Sequence, residues 1–204
     1  MNQILFVLTA ASATGKTSCI KKLCDMDEHL VQTISHSTRP KRPDEVDGVD
    51  KYFVSEEAFN RLLEQQQMVE YTTIFGHQCG HTKTSLEQIA NNGNDIIMVL
   101  NYAGLCMIKK QYPNTVSIFL LPPSVDALKE RIHDRPEAVG VDIKARIDNA
   151  RSEMLDYKHY DYIVFNDKID KAVADLKAIV AAERLRNSRQ CARHEKTISL
   201  LMQE

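Results

Sequence analysis

Ile4-Leu5-Phe6-Val7-Leu8-Thr9-Ala10-Ala11-Ser12-Ala13-Thr14-Gly15-Lys16-Thr17 is the stretch around which the chain is organised. It opens on an apolar run long enough for one buried strand. It then passes into small residues and closes on Gly15-Lys16-Thr17. Ser18-Cys19-Ile20-Lys21-Lys22-Leu23 follows with helix-compatible residues. Strand, small-residue loop, Gly-Lys-Thr and helix, in that order, form a P-loop, a grip for a nucleoside triphosphate. The backbone N–H groups of Ala10, Ala11, Ser12, Ala13, Thr14, Gly15, Lys16, Thr17 and Ser18 are expected to surround the phosphates of ATP, helped by the partial positive charge of the helix N-terminus. Lys16 would place its ammonium on the β- and γ-phosphates, and the Thr17 hydroxyl would ligate Mg²⁺. The first glycine of the usual pattern is Ala10 here. Its methyl fits only if that residue does not need a positive φ. The run is not read as a signal peptide, because no basic residue precedes it and a lysine follows at once.

The chain has 204 residues, 43% of them hydrophobic and 26% charged, with a net charge of −2. That is enough for one domain with a substantial core, with room for small inserted subdomains. The near-neutral charge gives no electrostatic footprint for nucleic acid or a membrane surface. No apolar run reaches spanning length, so no transmembrane helix is expected. The five cysteines, Cys19, Cys24, Cys79, Cys106 and Cys191, are odd in number and form no Cys-x-x-Cys pair. This is the usage of a reduced, cytoplasmic protein.

Strands are expected at Leu30–Ser35, Tyr52–Val54, Met68–Phe75, Asp95–Leu100, Val116–Leu121 and Tyr162–Phe165. Gly76 and Gly80 are read as bracketing a turn. Helices are expected after Ser55, over Thr84–Asn91, Tyr102–Tyr112, from Ser124 to about His133, over Asp142–Leu155, and from Ile169 onward with a break near Asn187. Buried strands alternating with helices imply an α/β fold, a parallel sheet flanked by helices, with substrates beyond the carboxyl ends of the strands. Ser12, Lys16, Ser35, Asn101 and Pro122 all fall there. Arg39 and Arg42, on the loop after the second strand, suit a second phosphate site, since guanidinium forks match phosphate bidentately. Arg131, Arg135 and Arg146 form a further basic cluster that could close as a lid over the triphosphate. Arg184, Arg186, Arg189 and Arg193 read as a solvated or oligomer-contacting face, which leaves a homo-oligomer open. His77, Cys79 and His81 could be a metal cluster by composition, but a remodelled substrate loop is the better reading.

Several motifs together resemble the guanylate kinase family. They are Ser35-His36-Ser37-Thr38-Arg39-Pro40-Lys41-Arg42-Pro43, Glu45-Val46-x-Gly48-Val49-Asp50, Ser117-Ile118-Phe119-Leu120-Leu121-Pro122-Pro123-Ser124, Glu153-Met154-x-x-Tyr157, Tyr160-Asp161-Tyr162 and Asn166-Asp167. The resemblance implies a P-loop nucleoside-monophosphate-kinase-like fold. Its core would be 1–35, 89–124 and 149–204, its monophosphate-binding subdomain 36–88 and its lid 125–148. It implies transfer of the γ-phosphoryl group of MgATP to GMP or dGMP. By position, Ser35 and Glu70 would read guanine, Arg39 and Arg42 would hold the GMP phosphate, Arg135 and Arg146 would clamp the transferring group, and Asn166 would lie near the adenine.

The departures from the family pattern cluster around the acceptor. The family has Tyr where this chain has Lys51 and a second phosphate-holding Tyr where it has Cys79. His81 stands where a Thr or Ser helps bind guanine, and Val99 and Asn101 stand where the strand end carries two acids. Asp134 and Pro136 replace lid glycines. Two alternatives to an active guanylate kinase therefore stay open. One is a related kinase for another phosphorylated acceptor such as ribose 1,5-bisphosphate. The other is a guanylate kinase-like binding module, which the retained Lys16-Thr17 disfavours.

Overall fold

Strand β1 (Leu5–Ala10) lies at the centre of a five-stranded sheet, buried along its whole length. The computed structural model describes residues 3–74, 76–133 and 143–203, with Ile143 described by its backbone alone. β2 (Leu30–Gln32), β7 (Asp95–Val99), β1, β8 (Val116–Leu121) and β9 (Tyr162–Phe165) stand side by side in that order, every pairing parallel. The expected α/β fold, a parallel sheet flanked by helices, holds. The continuous apolar runs at β1, β7 and β8 follow from it, since both faces of a parallel sheet are covered by helices.

Alternation along β1 feeds two cores. Phe6, Leu8 and Ala10 face one layer, where Cys19, Ile20 and Leu23 of α1 (Lys16–Asp25) meet Ala172, Val173, Leu176 and Val180 of α7 (Ile169–Arg184). Leu5 and Val7 face the other, against Leu86 of α3 (Lys83–Asn91) and Leu105 and Ile108 of α4 (Tyr102–Gln111). Each fully buried side chain of this kind contributes about 1.5–3 kcal/mol. Helices α5 (Val125–His133) and α6 (Ile143–Met154) make a third, smaller cluster. There Leu128, Ile132 and Ala150 pack on Ala11 and Ala13 of the small-residue loop.

Between β2 and β7 the chain builds a second sheet in the order β4-β3-β6-β5. It comprises β3 (His36–Ser37), β4 (Tyr52–Phe53), β5 (Met68–Ile74) and β6 (His77–Thr82), with α2 (Glu56–Glu64) after β4. The Ser55 hydroxyl accepts from Ala58 N at 3.2 Å, capping α2 as its position suggests. Gly80 is not in a turn. It lies inside β6, where an added Cβ would come 2.5 Å from Glu70 O, so only glycine lets β5 and β6 pair there.

The C-terminal helix ends at Arg184. Two shorter helices, α8 (Asn187–Arg193) and α9 (Glu195–Leu201), follow it. Arg184 is not part of a solvated face. Its Nε donates to Asp95 at 2.7 Å and its Nη1 to Asp27 at 2.7 Å, while Asp95 also accepts from Ile4 N at 2.8 Å. Arg189 likewise turns inward, onto the buried Glu183 at 3.2 Å.

Candidate active site

The parallel sheet brings the segments after β1, β2, β7 and β8 to one edge. The loop after β1 encloses a cavity of about 340 Å³ lined by residues 10–18 and Glu153. Ala10 ends β1 without a positive φ, which explains how a methyl is tolerated at this place. The left-handed residues are Ala13 (φ 64°) and Gly15 (φ 85°). Glycine at 15 is needed twice, because a Cβ there would also come 2.5 Å from Asn166 Nδ2. That amide donates to Thr14 O at 2.6 Å, and the Thr14 hydroxyl donates to Ala11 O at 2.7 Å, so the loop is braced from inside the protein. No side chain caps α1, which leaves its first N–H groups for an anion in the cavity. Ser12 N donates to Glu153 Oε2 at 3.2 Å, so a carboxylate of α6 stands where a phosphate oxygen would be met.

The other half of the site lies on the second sheet. β5 is irregular between Met68 and Glu70, so Val69 and Glu70 are both buried instead of alternating. Val69 joins the core. Glu70, 2% exposed, faces His81, which is 3% exposed and whose Nδ1 donates to Glu70 Oε1 at 2.6 Å. Gly104 of α4 runs close behind, where a Cβ would come 3.0 Å from Glu70 Oε2. Burial, with His81 nearby as the smaller influence, pushes the His36 imidazole below its ordinary range. Lys51 Nζ donates to Ser35 Oγ at 2.8 Å and lies 3.9 Å from Cys79 Sγ. Cys79 and His81 lie two residues apart on β6, so that strand carries both the Lys51–Ser35 group and the Glu70–His81 pair. Asn101 begins α4: its Oδ1 accepts from Gly104 N at 2.9 Å, and its Nδ2 reaches Thr72 Oγ1 at 3.5 Å.

Arg39 lies over the Phe53 ring and closes both terminal nitrogens on Glu45, with Nη1 2.7 Å from Oε2. That fork holds the Glu45 carboxyl down at about 2. Arg42 is exposed on the same loop, and its backbone N donates to Glu45 Oε2 at 3.0 Å. Arg131 Nη2 donates to Asn166 O at 2.9 Å, at the end of β9. Arg146 is half-exposed on α6. Arg135, like the Asp134 and Pro136 departures, lies outside the described residues.

Among the described residues no three of His, Cys, Asp and Glu gather as a metal-binding group. Thr17, in the first turn of α1, is among the residues that line the phosphate cavity. One hydroxyl suits Mg²⁺, which keeps several waters and takes most of its other oxygens from substrate phosphates.

Sequence reasoning missed Glu45 and Glu153 as site residues, although both stand in motifs quoted above. It also missed the tie in which Tyr160 Oη donates to Thr9 Oγ1 at 2.9 Å and Thr9 Oγ1 to Leu100 O at 2.7 Å, joining β1, β7 and the end of the 3-10 turn over Leu155–His159. No spacing rule signals contacts so far apart in sequence.

The family model described as Guanylate kinase matches residues 2–183. A guanylate kinase of Legionella pneumophila strain Lens is 36% identical to this chain, with 97% of this chain and 95% of that protein aligned. One of Alcanivorax borkumensis is 38% identical over 97% of this chain and 96% of its own length. The crystal structure of guanylate kinase from Anaplasma phagocytophilum superposes with a TM-score of 0.75 at 27% identity, covering 92% of this chain and 89% of that one.

Proposed function

The chain belongs to the guanylate kinase family and is a nucleoside monophosphate kinase that transfers the γ-phosphoryl group of ATP to GMP; from that premise we propose how its residues do so. The observation that carries the reading is the buried Glu70 carboxylate on the second sheet, held by His81 at 2.6 Å. A carboxylate accepts from guanine N1–H and the exocyclic amine, a pattern adenine does not offer. Glu70 and Ser35 read the base, and His81 holds the carboxylate in position.

Residues 36–88 act as the acceptor subdomain, 125–148 as the lid, and the rest as the core. The loop from Ala10 to Ser18 cradles the ATP phosphates, Lys16 lies on the β- and γ-phosphates, and Asn166 braces the loop beneath the adenine side. Arg42 meets the GMP phosphate from the loop after β2, and Arg39 joins it by easing part of its hold on Glu45. Arg135 and Arg146 close from the lid side on the transferring group. Cys79 and Asn101 complete the acceptor wall. Thr17 would hold Mg²⁺ bound with the ATP, and the ion would supply charge neutralisation for the transferred phosphoryl group.

In the reaction an oxygen of the GMP phosphate bonds to the γ-phosphorus as the bond to the β-phosphate oxygen breaks. The products are GDP and ADP, and no side chain is covalently modified. Catalysis is positioning and charge neutralisation. No described helix is long and apolar enough to cross a membrane. We read the enzyme as cytoplasmic, a reading that its free cysteines and nucleotide substrates support.

The test is ADP release over GMP, dGMP, AMP, UMP, CMP and ribose 1,5-bisphosphate. GMP should give the highest kcat/KM, with dGMP next. Preference for any non-guanine acceptor would overturn the assignment of Glu70 and Ser35.

A further inference from the structure

At the end of the parallel sheet where β1 and β8 begin, opposite the substrate edge, lies a cavity of about 730 Å³. That volume is ordinary for a small-molecule site. Lys109 of α4 lines it together with Arg186, Arg189 and Arg193 from the segment after α7. Two carboxylates, Asp161 and Glu183, stand among these four cations, so the cavity is basic on a chain whose net charge is −2. Both carboxylates are already engaged. Asp161 accepts from Ser117 N at 2.8 Å, from Ser117 Oγ at 2.6 Å and from Lys109 Nζ at 3.1 Å. The buried Glu183 accepts from Tyr162 Oη at 2.7 Å and from Arg189 Nη2 at 3.2 Å, and Arg186 Nε lies 3.3 Å from it.

The cations are not used up in the same way. Arg189 Nε is buried and meets no hydrogen-bond partner among the described residues, a donor that is costly to leave unmade. The Arg193 guanidinium makes no hydrogen bond or ion pair among the described residues. Lys109 keeps donors beyond the one on Asp161. Glu183 holds Arg186 and Arg189 in place from beneath, so part of the ordering cost of binding an anion is already met. The cations come from two separate elements, which suits a ligand with more than one anionic group. None of the lining residues is aromatic, so recognition falls on phosphate and not on a stacked base. We propose that this cavity is a second anion site, which binds the diphosphate group of a small molecule. The group can belong to inorganic pyrophosphate or to the phosphate chain of a nucleotide. The site lies away from the P-loop and does not depend on the acceptor reading above.

The experiment uses the full chain, titrated calorimetrically with inorganic pyrophosphate. Lys16→Ala weakens the P-loop, so binding that survives in it belongs to another site. On that background Arg189→Gln should lower pyrophosphate affinity about 10- to 100-fold, as loss of a hydrogen bond to a charged partner predicts. Arg189 also holds the buried Glu183, so melting curves check its fold. Arg193→Glu changes an exposed side chain without partners, keeps the fold, and should lower the affinity about two- to twentyfold. With Lys16 intact, Arg193→Glu should leave GMP turnover unchanged. ADP then competes with pyrophosphate in Lys16→Ala if the source is a nucleotide and fails to compete if it is the free anion; either result upholds the site. Loss of all pyrophosphate binding in Lys16→Ala overturns the proposal. So does an affinity indifferent to Arg193→Glu, or one that sulfate matches at equal ionic strength, which would be general ionic attraction. A chain that assembles through this face would also show no pyrophosphate binding there, and the proposal would fall.

Discussion

Glu70 is buried, is held on one oxygen by His81, and has Gly104 of α4 close to the other. Replacing it by Gln keeps the shape and lets His81 go on donating to the amide oxygen. It also puts an NH₂ where an acceptor is needed for guanine, leaving polar groups mispaired. Glu70→Gln should raise KM for GMP about 10- to 100-fold and leave KM for ATP within about twofold. Steady-state kinetics with each substrate varied in turn checks this, and an unchanged GMP KM would remove Glu70 from base reading. Asn101 is an N-cap before it is anything else. Asp caps as well as Asn does, so Asn101→Asp should leave the melting temperature unaltered. At the same strand end it restores a carboxylate facing the acceptor, and kcat/KM for GMP should rise by about tenfold. A flat or falling value would show that the asparagine is adapted to this pocket.

Elements set how these side chains meet. Helix α6 places Glu153 on Ser12 N at the mouth of the phosphate cavity. A triphosphate entering that cavity meets a like charge, and the carboxylate must leave. The contact is exposed, so the effect is modest. Glu153→Gln should lower KM for ATP about two- to fivefold without changing KM for GMP. A higher ATP KM would mean that Glu153 helps ATP bind. The loop from Arg39 to Asp50 is tied by the Arg39–Glu45 pair in the same local way. Arg39 lowers the Glu45 carboxyl from its ordinary 4.5 to about 2. The pair's stabilisation is therefore complete above about pH 4.5 and disappears as pH falls towards 2. Thermal melts of wild type and Glu45→Gln should differ by a constant gap above about pH 4.5, and the gap should close at lower pH. A gap independent of pH would show that the carboxylate's charge is not what ties the loop.

Across the whole molecule, Arg184 joins the end of α7 to two segments at one end of the parallel sheet, through Asp27 after α1 and Asp95 at the start of β7. Arg184→Ala would leave two largely buried carboxylates without their cation, a loss of about 3–5 kcal/mol. For a chain of this size that lowers the melting temperature by about 6–20 °C, with kcat/KM at low temperature close to wild type because the clamp lies away from the substrate edge. Loss of activity without loss of stability would instead tie this end of the sheet to catalysis.

Much of the fold was legible in sequence because its signals are local. The apolar runs at β1, β7 and β8, the caps Ser55 and Ser124, and Gly15-Lys16-Thr17 each act within a few residues, and each element formed where its own residues direct. The phosphate grip was readable for the same reason: consecutive backbone groups make it. The acceptor wall was not readable as geometry. An irregular register in β5 turns Val69 and Glu70 inward together, and period-two alternation does not reveal that. Lys51 reaches Ser35 across 16 residues and Cys79 across 28, and Arg184 reaches Asp27 across 157. In sequence Arg184 looks like surface charge, and Lys51 is only a departure from a family motif. Which anion or hydroxyl each one faces is decided only when sheets pair and helices pack, because Coulomb and hydrogen-bond energies depend on distance in space and not on separation along the chain.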